Sequence, residues 1–153
     1  MKKLIATLTM FLFLYSALGI DPETFQKSQL AVQQGDKSKL VDVLVVFEED
    51  RLLLTDKKEK DEVLKAFDYK DVKSAEYSHS KHPRWKSGTA LLIPLSVFAI
   101  PFFFMKGKKH WLTIQTEGDY AVLKLDKKNY KFINAAFEGH SGVEVEFVDL
   151  EDE

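Results

Sequence analysis

The sequence contains no cysteine. That excludes disulfides, thiolate metal centres, a cysteine nucleophile and a lipid-modified N-terminal cysteine. An exported chain of this composition must be held by its core alone. Glycine and proline are sparse, 7 and 4 among 153 residues. No phosphate loop occurs, because Gly107-Lys108-Lys109 lacks the first glycine and the Ser/Thr of that motif. A G-x-S-x-G nucleophile elbow is missing too. Excess charge of one sign is also lacking: lysine and arginine number 22 against 24 acidic residues, for a net charge of −2. Nucleic-acid recognition needs clustered Lys or Arg facing phosphates, so that class of partner is not expected. The length is that of one domain. A large enzyme and a multidomain protein are excluded.

What is present is uneven. Leu4–Ile20 holds 13 apolar residues in 17, and Gly88–Met105 holds 13 in 18. The first run follows Lys2-Lys3 and ends in Ala17-Leu18-Gly19, the order of an export signal with a small-x-small cleavage site. Residues 1–19 are therefore expected to be a signal peptide, and the protein to be exported and membrane-associated in the cell envelope. The second run carries no charge and approaches the roughly 20 residues needed to cross a bilayer core. Only Thr89 and Ser96 are hydrophilic, so it has no polar face. Leu92, Pro94, Phe98, Pro101 and Phe103 mark it as a membrane segment, either a tilted span or a re-entrant hairpin bent at its prolines. Its borders combine basic residues with tryptophan: Lys81, Arg84, Trp85 and Lys86 before it, Lys106, Lys108, Lys109 and Trp111 after it. Tryptophan favours the headgroup zone, and each Lys or Arg there is worth about 1 kcal/mol near an anionic surface.

The remaining chain reads as strands and one helix. Leu40–Phe47 is β-branched and apolar, Arg51–Thr55 returns from a Glu48-Glu49-Asp50 turn, and Glu62–Tyr69 and Asp71–Tyr77 follow. Asp21–Ser38 is a polar lead-in with room for a short helix. Beyond the second apolar run, His110–Thr116 and Tyr120–Leu125 flank a Glu117-Gly118-Asp119 turn. Asp126 is an expected N-cap for a helix over Lys127–Glu138 that Gly139 ends, with Tyr130, Ile133, Ala136 and Phe137 as its apolar stripe. Val143, Val145 and Phe147 alternate as a last strand. Neither flank of the apolar run buries enough surface to persist alone, so both should fold together.

With the pieces placed, Phe47-Glu48-Glu49-Asp50-Arg51-Leu52, Phe67-Asp68-Tyr69-Lys70-Asp71-Val72 and Leu123-Lys124-Leu125-Asp126-Lys127-Lys128-Asn129-Tyr130 resemble the bacterial pleckstrin-homology-like (GRAM-like) group. The frame KHPRWK followed by KKHW around an apolar stretch is similar to small exported bacterial proteins. The resemblance implies an α+β fold: a mostly antiparallel β meander forming a partial barrel, closed by one C-terminal helix. The domain would run over 40–149, with the apolar membrane segment 88–105 inserted between strands. Phe132 and Phe137 stand where that group's helix usually presents a tryptophan. Glu48, Glu49 and Asp50 replace the basic pattern of its first hairpin, so inositol-lipid recognition does not carry over.

Two functions of different class remain. The first is a non-catalytic, membrane-tethered interaction module whose partner is membrane lipid or another protein, with no cofactor. The second is a small metal-binding protein or enzyme using His79, His82 and His110, which would need to converge on one ion. H-x-x-H spacing suits one helix face, whereas His79 and His82 sit at a strand end before Pro83.

Overall fold

The computed structural model describes residues 23–34, 37–80 and 107–148. Alternation dictates the strands. Val43, Val45 and Phe47 fall on one face of their strand and are fully buried there, beside Leu52 and Leu54 of the next. The order is β1 (Glu23–Gln34), β2 (Lys37–Phe47), β3 (Arg51–Asp56), β4 (Val63–Asp68), a 3-10 turn (Tyr69–Asp71), β5 (Val72–Ser80), β6 (Lys109–Thr116), β7 (Tyr120–Leu125), α1 (Tyr130–Ser141) and β8 (Val145–Phe147). They form one eight-stranded sheet in the order β4-β3-β2-β1-β7-β6-β5-β8. Seven strands pair antiparallel, and β8 joins β5 in parallel.

The core lies on one face of this curved sheet. Leu30, Val45, Leu54, Ile114, Leu123, Ile133 and Phe137 are at its centre, so α1 contributes its apolar stripe to the same cluster as the strands. Lys65 ties the far edge to the other half: its ammonium donates to Asp119 Oδ1 at 2.7 Å and to the Tyr120 carbonyl. The ammonium also lies 4.7 Å from the Tyr120 ring centroid. That clamp joins β4 to the start of β7 where no ladder connects them.

The expected fold class needs correction in three places. First, the sheet is mixed and has eight strands rather than a meander of seven. The polar lead-in is β1, which runs between β2 and β7 and bonds to both. Its glutamines and a bulge between Phe25 and Ser28 hide the alternation. Second, the inserted membrane segment has no counterpart among the described residues. Among the described residues no helix is long and apolar enough to cross a membrane. Ser80 and Lys109 are also direct partners across β5 and β6, so the two flanks sit one strand apart. A single crossing would hold those partners a bilayer's thickness apart. Residues 88–105, with Leu92, Pro94, Phe98, Pro101 and Phe103, lie outside the described residues, as do 1–19. Third, the helix is shifted. Asp126 opens a turn, its carbonyl accepting from Asn129 and Tyr130 N–H, and α1 begins at Tyr130. Gly139 is helical, and Gly142 ends the helix at φ 70°, donating to the Glu138 carbonyl at 2.9 Å. Phe137 is buried as expected, whereas Phe132 is 65% exposed.

Candidate functional site: a lysine cleft beside β1 and β7

A cleft of about 800 Å³ opens where β1, β7 and the start of β6 come together. Six lysines line it: Lys27, Lys57, Lys108, Lys109, Lys124 and Lys127. His79, His110, Gln29 and Leu125 complete the wall, with Asp42 and Asp126 as its acids. Six lysines against two carboxylates give the lining a formal charge of +4, the histidines not counted. The whole chain is at −2, so the positive charge is concentrated here.

Register builds the floor. Gln29 on β1 is level with Asp42 on β2 and with Lys124 on β7. Side chains level across neighbouring strands share a face. Lys124 Nζ accordingly donates to Gln29 Oε1 at 2.8 Å, and Gln29 Nε2 donates to Asp42 Oδ1 at 2.9 Å. Burial pushes the Lys124 ammonium below its ordinary value, Lys109 pushes the same way, and Asp42 and Asp126 oppose both. An anion entering the cleft would relieve that penalty.

The β1 bulge builds one rim. Lys27 has φ 62°, a left-handed conformation that lysine adopts at a cost of about 1–2 kcal/mol. Asn129, just before α1, holds the neighbouring backbone by donating from Nδ2 to the Gln26 carbonyl at 2.7 Å. Asp126 Oδ1 accepts from the Lys128 N–H at 2.9 Å and fixes the turn carrying Lys127. A strained residue held at a cleft rim by a distant side chain is the pattern of a positioned group.

Aromatic rings form the remaining wall. His79 and His110 are level on β5 and β6, and their rings stack at 4.4 Å and 8°. Tyr130 stacks on His110 at 4.0 Å, and the Tyr77 hydroxyl bonds His110 Nδ1 at 2.5 Å. Burial holds the His110 imidazole below its ordinary value, and His79 adds to that shift while Asp126 opposes it. Burial raises the Tyr77 phenol to about 12, so it stays protonated.

The sequence-derived residues divide as follows. Lys108, Lys109, His79 and His110 meet in the cleft. Trp111, expected at a membrane border, is fully buried and donates from Nε1 to the Ser80 carbonyl at 3.0 Å. Its register, alternating with Leu112, places it on the sheet face opposite the core cluster. Lys81, Arg84, Trp85, Lys86, Lys106 and His82 lie outside the described residues. Of the metal alternative, His79 and His110 do come together, but among the described residues no group of three His, Asp or Glu could hold an ion. Sequence reasoning missed Lys27, Lys57, Lys124 and Lys127. They come from three separate stretches, which the pairing of β1 with β2 and β7 brings together.

No family model matches the chain, and no curated protein matches it. Solved structures do. A chain of the structure described as the Spt16D Pob3N heterodimer is similar at a TM-score of 0.50 and 14% identity. That match covers 88% of this chain, which spans 59% of the length of that one. The hSac2 domain from the human phosphoinositide phosphatase Sac2 matches at a TM-score of 0.45 and 12% identity, over 99% of this chain and 92% of that one. The first likeness, with the strand order and the single helix packed in the core, shows a pleckstrin-homology-like fold.

Proposed function

We propose that this protein is a non-catalytic interaction module that works after export, at a cell-envelope membrane surface, and that its lysine cleft receives phosphate-bearing lipid headgroups. The observation that carries the reading is the concentration of six lysines around one cleft in a chain of net negative charge. Lysine is a compact point charge suited to phosphate, and several together bind an anionic surface at about 1 kcal/mol each. The export-signal order of residues 1–19 supports the location. The histidines support a non-catalytic role. His110 has one ring nitrogen engaged by Tyr77 and stacks against both His79 and Tyr130, which commits it to the wall.

Flotation of the full chain with vesicles tests the reading. Phosphatidylglycerol-containing vesicles should bind at least tenfold more tightly than pure phosphatidylcholine, and the preference should shrink as salt rises. Equal binding to both would remove the headgroup reading.

A further inference from the structure

His79 and His110 are partners across β5 and β6, and both line the lysine cleft. Their rings stack at 4.4 Å, so a proton on either is felt by the other. His79 is exposed, and His110 is half-buried behind it. Every element around the pair contributes groups that bear on its charge. β5 brings Tyr77, whose hydroxyl bonds His110 Nδ1. α1 brings Tyr130, stacked on His110 at 4.0 Å, and Lys131, whose Nζ lies 5.9 Å from the Tyr130 ring centroid. The turn before α1 brings Asp126 and Lys127, and the start of β6 brings Lys108 and Lys109. Lys27, Asp42, Lys57 and Lys124 complete the charged lining from β1, β2, the end of β3 and β7. Phe147 of β8 packs edge-on against Tyr77 and is uncharged.

An imidazolium at either position faces more ammonium groups than carboxylates, and a phosphate among those lysines reverses the local sign. We infer that the stacked His79–His110 pair makes the cleft a proton-coupled anion site, which takes up an anionic headgroup and protons together and so binds membranes more tightly in acid. The inference rests on reading the cleft as an anion site. Burial, and after it His79, holds the His110 imidazole below its ordinary 6.5, so near neutral pH this ring has a proton to gain. The Tyr77 hydroxyl lets His110 change state without losing its hydrogen bond, because a hydroxyl can donate to a bare Nδ1 and accept from Nδ1–H. Linkage makes the effect reciprocal: whatever factor an anion adds to proton affinity, the proton adds to anion affinity. The same protons that loosen the fold around His110 therefore strengthen its grip on phosphate.

Phosphatidylglycerol is a phosphodiester whose single charge is constant near neutral pH, so any pH response of binding belongs to the protein. The native full chain should bind such vesicles about tenfold more tightly at about pH 5.5 than at about pH 7.5. His79→Gln, at an exposed position, should keep only about threefold of that gain, and His79→Gln with His110→Gln should lose it. His140→Gln should respond as the native chain does, since His140 bonds Glu23 and does not line the cleft. An equal gain in the native chain and in His79→Gln overturns the coupling, as does native binding that ignores pH; both leave the headgroup reading standing. A second measurement needs no vesicle. The His110 ring signals, followed by NMR against pH, should titrate at higher pH in sulfate, a soluble dianion, than in chloride at equal ionic strength. An unmoved midpoint overturns the coupling whatever vesicles do. A raised midpoint without vesicle binding at either pH keeps the proton-coupled site and removes the headgroup reading alone.

Discussion

At Lys27 and His110, stability and function pull on the same side chain. Lys27 is held in a left-handed conformation, and glycine there would relieve about 1–2 kcal/mol while adding unfolded-state entropy of about 0.5–1 kcal/mol. Lys27→Gly should therefore leave urea stability unchanged or raise it by about 1 kcal/mol, while weakening binding to anionic vesicles. A clear loss of stability would show that the lysine side chain, not the bulge, holds the rim. His110 carries a pH signature. Its imidazole is held below the ordinary 6.5, by burial first and by His79 second. The folded protein keeps the ring neutral where the unfolded chain has already taken a proton. Stability should thus be unaffected well above pH 6.5, fall as pH drops through it, and level off below the folded value. Denaturation midpoints followed between about pH 7.5 and 5 should show a shallower fall in His110→Gln than in the native chain. Identical slopes would mean that other groups set the acid response.

At the scale of elements, α1 and β1 show what holds the sheet in shape. Phe137 is fully buried in the core cluster, so Phe137→Ala should cost about 3–5 kcal/mol by calorimetry or denaturant titration. Lys65→Met keeps the stem but removes the clamp to Asp119 and Tyr120. It should cost about 1–2 kcal/mol, and hydrogen exchange should rise first in β4. These elements also show how far the sequence could be read. The strands from Leu40 to Tyr77, the hairpin at Gly118 and the buried stripe Ile133–Phe137 were legible because their apolar residues keep a strict period. β1 was not, since Gln26, Lys27, Gln29, Gln33 and Gln34 carry a helix-compatible polar pattern and the bulge at Lys27 breaks the alternation. Its strand identity comes from partners on both sides. The helix end was misplaced because Gly139 and Gly142 are both candidate stops, and only Gly142 adopts the left-handed conformation. Trp111 looked like a border residue by its basic neighbours, yet a strand's alternation turns it into a buried face.

At the scale of the whole molecule, the position of charge matters more than its total. Lys108 and Lys109 stood out in sequence as a basic pair, whereas Lys27, Lys57 and the Lys124–Lys127 stretch are far apart along the chain, and a net charge of −2 hides the cluster they form. The fold gathers them by pairing β1 with β7, two strands separated by most of the chain. The most direct measurement compares two full-length triple variants of equal net charge in vesicle flotation. One carries Lys27→Gln, Lys109→Gln and Lys127→Gln in the cleft. The other carries Lys60→Gln, Lys70→Gln and Lys73→Gln, exposed residues that do not line it. At about 1 kcal/mol per lysine, the cleft variant should bind phosphatidylglycerol vesicles about 100-fold more weakly than the native chain. The other variant should stay within about threefold of native. Equal weakening of both would assign binding to overall charge, and native-like binding by the cleft variant would contradict the cleft as the site.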